Sequence, residues 1–172
     1  MAFEGSADKI QEANHFLVLM RVAELPREEG LVPARLQGDA AFRYAFSAFV
    51  SAARAILHLL PQEGVGVPGF TRWYVTARER WLRGELATFF ADRPEFRLIF
   101  PAGMAEVTVV PPAVAAARAV PAAALELPDI ETAGHQGGVR FAERPRDSAT
   151  ELCARYLAEL TMVVGQAQKL TG

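Results

Sequence analysis

The stretch DAAFRYAFSAFVSAARAILHLL, residues 39–60, decides the fold because it reads as one long helix that is apolar around most of its circumference. Its large apolar side chains are Phe42, Phe46, Phe49, Val50, Ile56, Leu57 and Leu60. A helix of this kind is usually packed on several sides, at the centre of a bundle. The stretch therefore predicts a mainly α-helical domain built around one central helix, with Asp39 as its N-cap.

One narrow polar stripe interrupts the apolar surface of this helix. Its members recur every three or four positions and so share one face: Arg43, Ser47, Ser51, Arg54 and His58. A guanidinium and an imidazole at i and i+4, as at Arg54 and His58, are able to hold an anion together, and Arg43 adds a second charge. The stripe is the candidate ligand-binding site. The alternatives are a solvated face, or Arg54 paired with a carboxylate such as that of Glu12 or Glu159.

Three further long helices complete the prediction. They cover residues 6–25 capped by Ser6, residues 71–91 capped by Thr71, and residues 148–170 capped by Asp147 or Ser148. Residues 61–69, rich in glycine and proline, read as a linker, and Pro94 suits the first turn of a short extra helix. Long helices with short links predict an up-and-down four-helix bundle.

The hydrophobic period changes to two after residue 103. MAEVTVV (104–110) alternates as a strand does, and three shorter candidates follow: VAAARAV (114–120), LEL (125–127) and VRF (139–141). Alanine fills eight of the twelve positions 113–124, so a helix is the alternative there. We interpret residues 104–142 as a small antiparallel hairpin or sheet inserted before the last helix of a single domain spanning residues 1–172.

Composition narrows the function classes. The chain has 51% hydrophobic and 22% charged residues and a net charge of −2, which indicates a globular domain without a general attraction for nucleic acid. The start of the chain lacks the pattern of a signal peptide, and we predict a cytoplasmic protein that does not enter a membrane. Cys153 is expected to be a buried packing residue. No spacing of histidine, cysteine or acidic residues fits a metal site, so neither a metal nor a cofactor is predicted.

Three elements resemble a family of uncharacterised bacterial proteins near the HEPN superfamily. They are FRYAFSAFVSAARAIL (42–57), GFTRWY (69–74), and LATFF (86–90) with an arginine soon after it. HEPN domains are helical bundles linked to nucleotide binding, toxin–antitoxin pairs and RNA cleavage. The resemblance covers roughly residues 40–95, with a weaker echo at 151–160, and it implies a HEPN-like bundle.

The same resemblance implies a degenerate member. Active HEPN ribonucleases resemble one another in an arginine followed four to six residues later by a histidine. The corresponding stretch, ADRPEFRLIFPAG (91–103), has Arg93 and Arg97 but no histidine. Arg54 and His58, with three residues between them, lie on a different helix. The resemblance therefore argues against ribonuclease activity.

We expect a non-catalytic interaction module that self-associates as a homodimer along its helices or along the edge of the hairpin. One alternative is a metal-independent endoribonuclease of toxin–antitoxin or defence type that uses Arg54, His58 or Arg93. The other is a nucleotide or small-anion binder at the polar stripe. Six arginines interleaved with aromatic residues between positions 72 and 97 raise RNA as a partner, but four acidic residues there largely offset their charge.

Overall fold

The computed structural model describes residues 2–25, 33–91, 93–109 and 138–172. In these ranges the α-helices and β-strands are, in chain order, α1 (Glu4–Glu24), α2 (Asp39–Glu63), α3 (Phe70–Leu82), α4 (Glu85–Phe90), β1 (Glu95–Phe100), β2 (Gly103–Thr108), β3 (Arg140–Phe141), β4 (Arg144–Ser148) and α5 (Ala149–Gln168). Short 3-10 turns lie at Ala34–Leu36 and Lys169–Thr171. The predicted mainly helical fold, with a small antiparallel sheet before the last helix, is confirmed.

Helix α2 lies at the centre of the described structure, as its sequence predicts. It packs along α1 and also contacts α5 and strand β2. By length and composition alone it is the one helix of the described residues that could span a membrane, but 56% of its most apolar window is buried inside the protein. The core helix of a soluble protein has these same properties.

The sheet has the strand order β2-β1-β3-β4, and every neighbouring pair is antiparallel. Alternate residues of β1 are buried, so Phe96, Leu98 and Phe100 face the helices, while Arg97 faces solvent. The inner face packs on α2, where the ring of Phe46 lies 5.1 Å from that of Phe96. Helices and sheet therefore share one hydrophobic core.

The predicted short helix after Pro94 is wrong, because residues 95–100 form strand β1. Pro94 has the fixed φ that suits the start of either element. The side chains of EFRLIF are alternately exposed and buried. This period of two fits a strand that pairs with neighbouring strands in a sheet. The β region thus begins at residue 95 rather than at residue 104.

Residues 71–91, which are predicted to form a single helix, form two, because the helix is interrupted between α3 and α4. The break centres on Gly84, whose N–H donates to the carbonyl of Trp81 at 2.8 Å. A side chain at position 84 would have its Cβ 2.9 Å from that carbonyl oxygen, so this close turn requires glycine. Thr71 is not the N-cap of α3, since Gly69 holds that position with a φ of 77°.

Two other predicted caps are wrong and one is right. Gly38 rather than Asp39 is the N-cap of α2. Asp39 lies in the first turn of the helix, where its negative charge interacts favourably with the helix dipole. Ser6 lies inside α1 and is fully buried. Ser148 caps α5 as predicted, accepting a hydrogen bond from the N–H of Glu151.

The candidate strands at 114–120 and 125–127, and the helix that is the alternative at 113–124, lie outside the described residues. Strand 104–110 corresponds to β2, and the candidate at 139–141 corresponds to β3.

Helix α2 continues through Pro61 to Glu63, so the first three residues of the predicted linker at 61–69 are helical. Glu63, the last residue of α2, caps α1. The Glu63 carboxylate accepts hydrogen bonds from the N–H of Gly5 at 2.6 Å, from the N–H of Ser6 at 3.0 Å, and from the Ser6 hydroxyl. The first N–H groups of a helix have no partner within the helix, so this distant carboxylate acts as their cap.

Replacing Glu63 by alanine is expected to lower the free energy of unfolding by about 1–2 kcal/mol, because it removes both a cap and a favourable dipole interaction. Urea denaturation followed by circular dichroism measures the change. Gln62→Ala is the matched control, since Gln62 is exposed in the same helical turn. Equal losses in the two variants would contradict the capping role of Glu63.

Candidate functional site

The polar stripe of α2 does not form one site. Arg43 and His58 are fifteen positions apart in a continuous helix, which separates them by about 22 Å along its axis. Arg43 is exposed, and Ser47 and Ser51 are partly buried. Only Arg54 and His58 line the same pocket. The structure therefore brings together the i, i+4 pair and leaves the other three residues of the stripe outside that pocket.

Arg54 is a buried structural residue as well as a pocket residue. Its side chain is 6% exposed. The carbonyl oxygen of Phe90 accepts hydrogen bonds from its Nε at 2.9 Å and its Nη2 at 2.7 Å, and the carbonyl of Arg93 also accepts from Nη2. These carbonyls lie at the end of α4 and just beyond it, where a cation is favoured by the helix dipole. The planar guanidinium thus holds the turn from α4 towards β1.

The pocket that contains Arg54 and His58 lies between α2, α3 and α5 and has a volume of about 130 Å³. Its polar lining side chains are those of Arg54, His58, Tyr74, Arg78 and Trp81. Leucine, alanine and valine side chains complete the wall, among them Leu57 of α2, Ala77 of α3 and Val163 of α5. Polar groups therefore meet an apolar surface in one small concavity, as in ligand sites generally.

The two ends of α3 hold the pocket open. Phe70, the one buried residue of α3, packs on Phe3 at 5.5 Å and over Gly64, where a Cβ atom would come within 2.2 Å of its ring. At the other end, Trp81 stacks on Tyr156 at 6.0 Å. Because its middle contributes no buried residue, α3 leaves a pocket between itself and α2.

The electrostatics of this pocket favour a negative ligand. Arginine, histidine, tyrosine and tryptophan side chains are all able to donate a hydrogen bond, and none of the described residues that line the pocket is aspartate or glutamate. Burial raises the pKa of Tyr74, an effect that the nearby charge of Arg78 partly offsets. The phenol therefore stays protonated near neutral pH and remains a donor.

One donor of the pocket wall has no acceptor. The indole Nε1 of Trp81 is buried and makes no hydrogen bond within the described structure. An unsatisfied buried donor costs on the order of 1–3 kcal/mol. A small shift of the ring towards a bound acceptor would recover part of that free energy.

Arg93 and Arg97, the candidates from the resemblance, belong to another surface. Arg93 lies over the ring of Phe89 at 4.7 Å, and its Nη1 is 3.4 Å from Glu143 Oε1. Arg97 Nη2 is 3.1 Å from the same carboxylate oxygen. Arg93 lines a shallow pocket with Phe89, whereas His58 lines the pocket beside α3. The three candidate catalytic residues Arg54, His58 and Arg93 thus do not line a common pocket.

Cys153 is fully buried, as predicted. Burial raises the pKa of its thiol well above the ordinary value, and the negative charge of Glu24 raises it further. The thiolate is the reactive form, so burial and the raised pKa both disfavour reaction of this cysteine in the folded protein. Among the described residues, no group of three histidine, cysteine or acidic side chains is placed to hold a metal ion.

Three pocket residues, Tyr74, Arg78 and Trp81, belong to the stretch of arginines and aromatic residues that raises RNA as a partner, and the sequence does not predict that they share a pocket with Arg54 and His58. Their positions also fit the apolar and solvated faces of one amphipathic helix. The available signal was the i, i+4 pair of Tyr74 and Arg78, which resembles the pair of Arg54 and His58.

Comparisons of the chain with family models, with curated proteins and with solved structures found no match. The resemblance to HEPN-like proteins therefore rests on the sequence elements alone.

Proposed function

We propose that this protein binds a small organic anion in the pocket between α2, α3 and α5. The proposal rests on the lining of the pocket. Every polar side chain that lines it can donate a hydrogen bond, and no carboxylate is present among the described residues that line it. A cation would find no counter-charge there. A neutral apolar molecule would offer no hydrogen-bond acceptor to His58 and Arg78.

The size of the pocket favours the small-anion alternative over a nucleotide. Pockets for drug-sized ligands measure roughly 300–1,000 Å³, whereas a cavity of about 150 Å³ accommodates benzene. The pocket, at about 130 Å³, is close to the second value. A single-ring carboxylate therefore matches its volume, provided that the carboxylate lies at the open rim.

The proposed orientation follows from the exposure of the lining residues. His58 and Arg78 are exposed and stand at the rim, where they would bind the carboxylate through charge-assisted hydrogen bonds. Leu57, Ala77 and Val163 are partly buried and would contact the ring. Burial of the ring would supply most of the affinity, and the two rim residues the selectivity for an anion.

The test is isothermal titration calorimetry with benzoate as the probe and benzyl alcohol as its neutral analogue of similar size. We expect benzoate to bind and benzyl alcohol to bind at least about fivefold more weakly, since about 1 kcal/mol is typical of one partly exposed charged contact. Arg78→Gln should remove this preference. Arg72→Gln is the matched control, because Arg72 is an exposed arginine of α3 that does not line the pocket.

Three results would overturn the proposal: no heat of binding with benzoate, equal affinity for the two probes, or an equal loss in the Arg72 and Arg78 variants. Arg54 is unsuitable for this test because its guanidinium bonds the carbonyls of Phe90 and Arg93, so its replacement is expected to disturb the fold.

A HEPN-like, non-catalytic bundle of bacterial origin is part of the same proposal, and the predicted cytoplasmic location stays a prediction. The ion pairs of Arg93 and Arg97 with Glu143 support the non-catalytic role. An arginine held by a carboxylate is less available to a phosphate. Incubation with single-stranded RNA and transfer RNA in EDTA tests it, and cleavage that is lost in Arg93→Gln would contradict it.

A further inference from the structure

A second groove lies between α3 and α5, on the other side of Trp81 from the anion pocket. It has a volume of about 350 Å³ and is more open to solvent than that pocket. Its floor is apolar and aromatic, with Trp73 and Trp81 from α3 and Val163 from α5. The groove and the pocket share Ala77, Trp81 and Val163, so they lie on the two sides of the contact between α3 and α5.

The two walls of the groove carry opposite charges. Arg80 stands on the α3 wall and Glu159 on the α5 wall. Neither makes a hydrogen bond or an ion pair with the described residues. Burial raises the pKa of Glu159, and the charge of Arg155 offsets this only in part. The groove therefore offers an acidic contact and a basic contact to whatever occupies it.

The α5 wall also presents an exposed apolar side chain. Met162 is 61% exposed, although it borders the aromatic floor of the groove. A flexible thioether side chain of this kind fills irregular gaps well and is common at binding surfaces. Met162 projects where a partner with a matching concavity would bury it.

We propose that a second copy of this chain occupies the groove, related to the first by a two-fold axis. In such an interface each surface must complement itself, so that residue i contacts residue j and residue j contacts residue i. The groove allows this, because it carries a basic residue on one wall and an acidic residue on the other. In the proposed dimer, Arg80 of one copy faces the partner subunit's Glu159, while its own Glu159 faces the partner subunit's Arg80. Met162 of each copy enters the groove of the other.

The proposal is tested by sedimentation equilibrium of the full chain from about 1 μM to about 300 μM, a range that covers weak and moderate dimers. The wild type is expected to dimerise. Arg80→Glu and Glu159→Arg should each weaken the dimer by about tenfold or more, because each change places like charges opposite one another twice. The double variant Arg80→Glu/Glu159→Arg should recover most of the lost affinity.

The controls separate this surface from others. Arg83→Glu alters an exposed arginine at the C-cap of α3 that does not line the groove, and Thr161→Glu alters an exposed neighbour of Met162. Both variants should dimerise like the wild type, whereas Met162→Glu should not. Circular dichroism establishes that each variant is folded.

A monomer at every concentration would overturn the proposal, as would a double charge exchange that restores nothing. A dimer that survives Met162→Glu but is lost in Met104→Lys would overturn it too, because Met104 lies on strand β2 and that result would assign the contact to the sheet. The outcome is independent of the anion pocket, whose test uses a ligand titration.

Discussion

Replacing Arg54 by methionine is expected to lower the free energy of unfolding by about 3 kcal/mol, although arginine is the more polar residue in an apolar core. Methionine retains most of the aliphatic packing of the arginine side chain but donates no hydrogen bond. The carbonyls of Phe90 and Arg93 then lose the guanidinium that bonds them. A buried acceptor left without a donor costs more than the hydrogen bond itself contributes.

Urea denaturation followed by circular dichroism measures this loss, and Arg43→Met provides its control on the same helix. Arg43 belongs to the same polar stripe but is exposed, so its replacement should change the stability by less than about 0.5 kcal/mol. Arg54→Lys should recover only a part, because an ammonium cannot reproduce the planar fork that reaches both carbonyls. Equal stability of the Arg54 and Arg43 variants would refute the role assigned to Arg54.

This expected loss changes how the candidate site must be tested. A variant of Arg54 that fails to bind a ligand would also be a variant with a weakened α4 and a disturbed start of the sheet. Loss of binding would then not separate a contact with the ligand from a change in the fold. Arg78 and His58 are exposed at the rim and allow that separation.

The long helices could be predicted because their patterns are long and uninterrupted. Residues 39–60 carry a helical period over six turns, and α5 was located within two residues at each end. Strand β1 could not be predicted in the same way, since EFRLIF offers only three alternations and follows a proline that suits a helix start. Its partners on β3 lie up to 43 residues away along the chain, where Leu98 is opposite Phe141, so the register that fixes β1 is tertiary.

The candidate site was predicted in part for a similar reason. Arg54 and His58 lie on one helix, so their proximity follows from the helical repeat alone. Tyr74, Arg78 and Trp81 join them only because α3 is anchored by Phe70 at one end and by a ring stack at the other. Such an angle between helices depends on which side chains meet, and no local pattern encodes it.

The caps show the same limit at a smaller scale. Ser6 has the residue type of an N-cap, but its hydroxyl donates to Glu63 from inside the helix. The true capping group of α1 lies 57 residues away in the chain. Sequence patterns identify local caps and cannot identify a cap provided by another helix.

The second large effect concerns the contact between helix α2 and the sheet. Replacing Phe46 by alanine is expected to lower the free energy of unfolding by about 3–5 kcal/mol. Phe46 is fully buried, and its ring meets Phe96 of β1 at 5.1 Å and Phe141 of β3 at 5.5 Å. The change removes a large apolar surface and two edge-to-face contacts, and it leaves a cavity between two layers that cannot close without moving the sheet.

Chemical denaturation again measures the loss, and Tyr44→Ala is the matched control. Tyr44 is an aromatic residue of the same helix, two positions away, with 79% of its side chain exposed, so its removal should cost less than about 0.5 kcal/mol. Phe46→Leu should fall between the two, because it restores most of the volume but neither ring contact. If Phe46→Ala were as stable as Tyr44→Ala, helix α2 would not be the layer on which the sheet packs. The turn held by Arg54 would then have no core behind it.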